Sequence, residues 1–259
     1  MNAETTTGAI DDIAEAKFKR DGYLIVPQLE DQQRCLAMRE EILQSLSPLR
    51  GPAEFEVDVQ YPGSPADRSS EGGNTPRRLL HAYGRSQLFR DWSTGSIVRD
   101  YLHRLMDSDR VMLSQCHHNC IMTKHPGYSS VTSWHQDNRY WRYDRPELVS
   151  VWLALGDEFD DNGSLMFIPG SHRLELGLGR FDRDIFFRTD LKENSELLAT
   201  AVSAELKMGD VVFFHSRTLH AAGMNKTDTV KLSPVFTYHT EDNRPIPGTR
   251  SAIYPSIML

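Results

Sequence analysis

The sequence predicts a mainly β fold, a sandwich or barrel with flanking helices packed outside it. Two observations carry that reading. Beyond Arg110 the chain breaks into short apolar runs separated by Gly, Pro, Asn and Asp, as strands joined by turns do. Before Arg110 the apolar residues recur at helical spacing instead. A chain of 259 residues can bury a sizeable core. We expect one domain over 1–259, with a helical part at 1–110 packed on a β core at 111–240.

Taken in order, "IDDIAEAKFKRDG" reads as a short helix ending at Gly22, and "YLIVPQL" as a short apolar strand. "EDQQRCLAMREEILQSL" has apolar residues at 36, 38, 42, 43 and 46 after an acidic start, which is a helical pattern. From about residue 47 to 76, Gly, Pro, Ser and Asp dominate without periodicity. Neither flank carries a complete core pattern, so this run reads as a loop insertion and a candidate lid. "GSIVRDYLHRLMDSD" is a further helix. The runs "VMLSQCHHNCIMTK", "ELVSVWLALG", "GSLMFIPG", "ATAVSAEL", "DVVFFHS" and "TVKLSPVFTYHT" supply the strands.

The net charge of -7 argues against nucleic acid or an anionic membrane as the main partner. The longest apolar runs are strand-sized, far short of a membrane span. The acidic start "MNAETTTGAIDDIAEAK" lacks the pattern of a signal peptide, so a cytoplasmic location is expected. Cys35, Cys116 and Cys120 are too few and wrongly spaced for a disulfide framework, and no second ligand pair follows Cys116 and Cys120 at finger-like spacing.

Chemistry concentrates in "SSVTSWHQDNRYWR" (129–142). On an extended segment side chains repeat their direction every two residues, so His135 and Asp137 can reach one point, and that point can be a metal ion. The structural alternative is a hydrogen-bonded His–Asp pair. A third ligand would come from "MGDVVFFHSRTLHAAGMN" (208–225), which offers His215 and His220. Two imidazoles and one carboxylate, with coordination positions left open, suit non-haem Fe(II).

With H-Q-D, the segments "DDNGSLMFIPGSH" (160–172) and "GDVVFFHSRTLHAAGMN" (209–225) resemble the phytanoyl-CoA dioxygenase family of 2-oxoglutarate-dependent oxygenases. The resemblance starts at "FKRDGYLIVPQL" near residue 18, resumes at "SVWLALGDEFDDNGSLMFIPGSH" and runs to about residue 240. The run 47–76 lies outside it. It implies a double-stranded β-helix core, the jelly-roll of cupins, and a dioxygenase that uses Fe(II), 2-oxoglutarate and O2. It selects His220, ahead of Asn225, as the third metal ligand, and makes His215 and His172 structural.

The resemblance also implies a co-substrate pocket. The family usually has an arginine eleven residues after the distal histidine, and here that residue is Lys231, a point charge in place of a planar fork. Ser233 would face the same way and assist it. Arg78, or equally Arg77, is a second cation, and Trp152 a pocket wall. His118 and Cys120 would line the opposite wall, sharing a face with Met122 and Lys124. Asn138, Tyr140, Trp141 and Arg217 would sit at the mouth and meet the primary substrate. Solvated arginines and a core tryptophan are the ordinary alternatives. Asp137 argues against halogenating relatives, in which halide takes the carboxylate's place. Two rivals share the fold: a cupin-type metal enzyme that does not use 2-oxoglutarate, and a non-catalytic binding protein.

Overall fold

The computed structural model describes residues 10–259. The N-terminal part holds α1 (Asp12–Asp21), β1 (Tyr23–Val26), α2 (Gln32–Leu46), β2 (Ala53–Phe55), α3 (Glu56–Val59), β3 (Pro76–Leu80), α4 (Ala82–Arg85), α5 (Gln87–Ser93) and α6 (Ser96–Leu105). Then follow β4 (Val111–Ser114), β5 (Cys120–Lys124), β6 (Thr132–His135), β7 (Leu148–Leu153), β8 (Leu165–Phe167), α7 (Lys192–Leu198), β9 (Val202–Ser203), β10 (Val211–His215), β11 (His220–Ala222), β12 (Lys231–Thr240) and β13 (Ile257–Met258). The expected helices are present. The Asp11 carboxylate accepts from the Ala14 amide at the start of α1, and Asp31 does the same for Arg34 at the start of α2. Gly22 ends α1 with φ +81, and a Cβ there would collide with the His172 ring of the P-G-S-H turn.

The strands form two antiparallel sheets, the jelly-roll layout of a double-stranded β-helix. The larger runs β1-β10-β7-β12-β5-β3-β2, with β4 paired to β12 and β13; the smaller runs β6-β11-β8-β9. The region 1–110 is therefore not only helical, because β1, β2 and β3 extend the large sheet.

Alternation along the strands divides the interior into two layers. Val211 and Phe213 of β10, and Val149, Val151 and Leu153 of β7, join a core with Phe18, Met38, Ile42, Phe89 and Leu102 of the helices. Val212, Phe214 and Trp152, on the opposite face, pack with Leu165, Phe167 and Ala222 of the small sheet. The large sheet is thus covered on both faces, and the cleft between the sheets holds the chemistry.

Several sequence motifs serve the frame. Asp210 of the Gly-Asp pair accepts from the backbone amides of Gln28 and Lys207, pinning the turn before β10. Asn162 closes its turn by accepting from the Phe159 amide and donating to the Asp157 carbonyl. Asn225 donates to the carbonyls of Lys124 and Thr229.

Two expected strands differ. "VMLSQCHHNCIMTK" is interrupted between β4 and β5, and His118 sits in the break with φ +38. "ATAVSAEL" yields only β9, an exposed pair of residues after α7.

The core makes a direct prediction. Tyr101 of α6 stacks on Phe213 of β10, with centroids 5.1 Å apart and planes 11° from parallel. Phe213→Ala should cost about 3–5 kcal/mol. The urea midpoint should fall with little change in slope.

Candidate metal centre

β6 and β11 pair so that His135 and His220 are direct register partners, with ring centroids 4.1 Å apart. β6 ends at His135, and Asp137 opens a 3-10 turn over Asp137–Arg139. The two-residue spacing therefore works through a strand end and a turn. Gln136 holds that turn by donating to the Arg217 carbonyl and accepting from Arg139.

His135, Asp137 and His220 present one ligand atom each within 4.8 Å of one another, and they are the group of this kind found among the described residues. His135 Nε2 lies 3.6 Å from Asp137 Oδ1, and His220 Nε2 lies 3.8 Å from Asp137 Oδ2. The Nδ1 atoms face carbonyl oxygens, His135 that of Ser133 at 2.8 Å and His220 that of Thr218 at 3.0 Å. A ring nitrogen facing a carbonyl must donate, so each Nε2 keeps its lone pair for the centre.

Asp137 Oδ2 is buried without a hydrogen-bond partner, and such an orphaned oxygen is costly unless something positive occupies the centre. Although burial opposes its ionisation, the Asp137 carboxyl is held below its usual range. Burial pushes His220 down to about 3, which keeps it neutral. Two imidazole nitrogens, a carboxylate and its orphaned oxygen aimed at one point fit a divalent metal ion.

A cavity of about 200 Å3 opens onto this group. Of the sequence candidates, Arg78, His118, Tyr140, Trp141 and Trp152 line it. Trp141 stacks on His117 and meets His118 edge-on. Cys120 lines a neighbouring cavity of about 230 Å3 that shares Arg78, His118 and Arg250 with the first. Asn138 and Arg217 do not line the metal cavity; Arg217 instead donates to the Leu174 carbonyl and the Glu175 carboxylate. His215 stands apart from the metal-binding group and accepts from the Arg217 amide.

Lys231 and Ser233 do not stand as free anchors. Lys231 Nζ pairs with Glu158 at 2.9 Å, with the two side chains 4% and 0% exposed. Ser233 Oγ and Trp152 Nε1 donate to the same carboxylate, at 2.6 and 3.0 Å. The expectation of an available cation at 231 is corrected by this buried counter-charge. Glu158 is missed in the sequence because "GDEFDDNG" reads as an acidic turn.

Residues from 47–76 are also part of the site. Val59 and Tyr61 line the metal cavity, and Glu54 pairs with both Arg77 and Arg78. Lacking periodicity, this run offers no signal by which sequence reasoning assigns it a wall.

The profile of the family described as phytanoyl-CoA dioxygenase (PhyH) matches residues 18–233. The chain belongs to the phytanoyl-CoA dioxygenase family. It is accordingly a non-haem Fe(II), 2-oxoglutarate-dependent dioxygenase. It is 26% identical to a phytanoyl-CoA dioxygenase domain-containing protein 1 of Danio rerio, over 86% of this chain and 87% of that protein. It is 27% identical to an ectoine dioxygenase of Bordetella bronchiseptica, over 87% of this chain and 74% of that one. Among solved structures, EctD from S. alaskensis with 2-oxoglutarate and 5-hydroxyectoine has a TM-score of 0.74 at 21% identity, covering 93% of this chain and 80% of that one. The epimerase SnoN with Fe3+, alpha ketoglutarate and nogalamycin RO has a TM-score of 0.71 at 22% identity, covering 96% and 94%. These structural likenesses bear on the fold. No helix among the described residues is long and apolar enough to cross a membrane.

Two predictions follow from this geometry. Ferrous ion at a hundred times its dissociation constant should stabilise the protein by about 2.7 kcal/mol. His220→Ala should abolish that gain in anaerobic thermal unfolding. The second concerns Lys124, whose Nζ donates to the carbonyls of Ser130 and Gly223. Burial, then Lys231 and Arg77, push its pKa down to about 7. A neutral folded lysine means that unfolding takes up a proton above that pH, so this group makes stability rise with pH. Burial raises the Cys35 thiol from 9.0 to about 12, an opposing effect that enters only above pH 9. Between about pH 7 and 9 the stability of Lys124→Met, measured by urea unfolding, should therefore climb less steeply than that of the wild type.

Proposed function

We propose that the protein oxidises a carbon of a small-molecule substrate, taking one oxygen atom from O2 and releasing succinate and CO2 from 2-oxoglutarate, with hydroxylation as the outcome. The observation that carries this reading is the convergence of two imidazole nitrogens and an orphaned carboxylate oxygen on one buried point.

Bound there, ferrous iron supplies O2 activation coupled to decarboxylation of the 2-oxo acid. The protein's part is positional. Ser133 and Thr218 fix the two imidazole rings through their carbonyls. Asp137 turns its partnerless oxygen to the same point. Trp141, Trp152, Phe214 and Leu165 give the cavity dry walls. Tyr140, whose hydroxyl donates to the Asp184 carbonyl, and Trp141 flank the metal group and suit a role against the primary substrate. Asn138, next along, has a buried side-chain oxygen without a partner. Arg217 is held by Glu175, outside the cavity lining. The relatives named as ectoine dioxygenases support a compact metabolite as substrate class.

The test is a metabolite screen for substrate-stimulated succinate release, with mass spectrometry of products. One compound should raise succinate output and gain one oxygen. His135→Ala and His220→Ala should abolish both signals, as should a chelator. Succinate release that persists in either variant would overturn the assignment of the metal group.

A further inference from the structure

His117 lines the metal cavity without belonging to the metal group. It is 3% exposed and held on two sides. Trp141 stacks on its ring, with centroids 4.9 Å apart and planes 21° from parallel. Its Nε2 lies 2.7 Å from the hydroxyl of Ser251, on the 3-10 turn Arg250–Ala252. Its Nδ1 is buried and meets no partner in the protein. The family profile ends at residue 233, so the turn that holds this ring lies beyond the matched residues.

The serine settles which ring nitrogen carries the hydrogen. Ser251 is buried, and its oxygen accepts from the Arg142 amide at 2.9 Å. Its hydrogen-bond partners among the described residues are that amide and His117 Nε2. If Nε2 donated, the hydroxyl hydrogen would be shut in without an acceptor. If the hydroxyl donates, the serine is fully matched and Nε2 is the bare nitrogen. Burial, then the Arg250 charge, push His117 down to about 3, so the ring is neutral and has one hydrogen to place. That hydrogen therefore sits on Nδ1. The result is an N–H of fixed direction, shut from water and without an acceptor, on a residue of the cavity wall. Such a donor is unfavourable until an acceptor arrives.

We propose that His117 binds the primary substrate, its Nδ1–H donating to an acceptor oxygen such as that of a ketone, amide or carboxylate, and that Ser251 is the positioning residue that keeps the hydrogen on Nδ1. This deepens the reading of a small-molecule substrate and rests on it. A molecule of the same shape without that oxygen would leave the N–H buried and unmatched, so the residue selects among substrates.

The experiment is heteronuclear NMR of protein carrying isotope-labelled histidine and loaded with Zn(II) and 2-oxoglutarate. Long-range couplings within each ring show which nitrogen bears the hydrogen. His117→Phe, which keeps a ring for Trp141 to stack on, identifies the His117 signals by their loss. In the wild type Nδ1 should carry the hydrogen and Nε2 should be bare; the opposite pattern would overturn the proposal. Ser251→Ala removes the donor to Nε2 and should mix the two tautomers, whereas an unchanged pattern would remove Ser251 from its role. N,N-dimethylformamide, an acceptor with no N–H, is then titrated in, with methylammonium, a donor with no acceptor, in parallel. The first should shift the Nδ1–H proton resonance to a plateau, and the second should leave it in place. A resonance that dimethylformamide does not move, or that methylammonium moves instead, would sink the substrate-binding role. None of these readings requires turnover, so a metabolite screen without a hit counts against the oxidation reading and not against the donor at His117.

Discussion

The register between β6 and β11 is the constraint on which the site depends. It makes two histidines 85 positions apart in sequence into facing neighbours. A slip of one residue between the two strands would put the two rings on opposite faces. That register is held at both ends. β11 also pairs with β8, matching His220 to Phe167, and Asn225 beyond it is bonded to Ser129, Lys124 and Thr229. The carbonyls of Ser133 and Thr218 then settle which ring nitrogen faces inward. The donor set is thus prepared by backbone geometry before any ion arrives, which lowers the ordering cost of binding one.

Electrostatics follow from the same burial. The barrel interior takes in cations and anions together and pairs nearly all of them. Glu54 serves two arginines, Glu158 serves Lys231, and Glu56 accepts from the Ser130 amide and hydroxyl. Burying a charge is tolerable only with such partners. Against that background the exceptions are informative. Asp137 Oδ2 and Arg78 Nε are buried polar atoms without protein partners, and both belong to residues lining the metal cavity. One calls for a cation and the other for an anion.

Much of this was legible in the residues. Strand texture after Arg110, helical spacing before it, and the H-x-D pair with a distant histidine lead to the observed layers and metal group. What failed to read was long-range pairing. Nothing local to Lys231 announces Glu158, 73 positions earlier, and a strand lysine looks the same whether it is free or neutralised. His118 shows a second limit. Treating "CHHNCIMTK" as one strand puts His118 on the face of Cys120, but the chain breaks there and His118 reaches the metal cavity from a positive-φ bend while Cys120 lines its neighbour. Periodicity describes regular elements, and functional side chains often sit where regularity stops.

The segment 47–76 carries this point furthest. It shows no periodicity and falls within the residues the family profile matches, and it supplies Val59 and Tyr61 to the cavity wall and Glu54 to the arginine pair. It is not a free flap. β2 joins the edge of the large sheet through β3, Glu56 is tied to Ser130, and Tyr128 reaches across to Glu71. The metal group is held by β6, β11 and the turn at Asp137, whose positions are set by the barrel. The segment is tied to the strand that carries His135, since the Val131 amide just ahead of β6 donates to the Pro62 carbonyl. The barrel thus positions the metal group, and 47–76 supplies part of the cavity wall beside it.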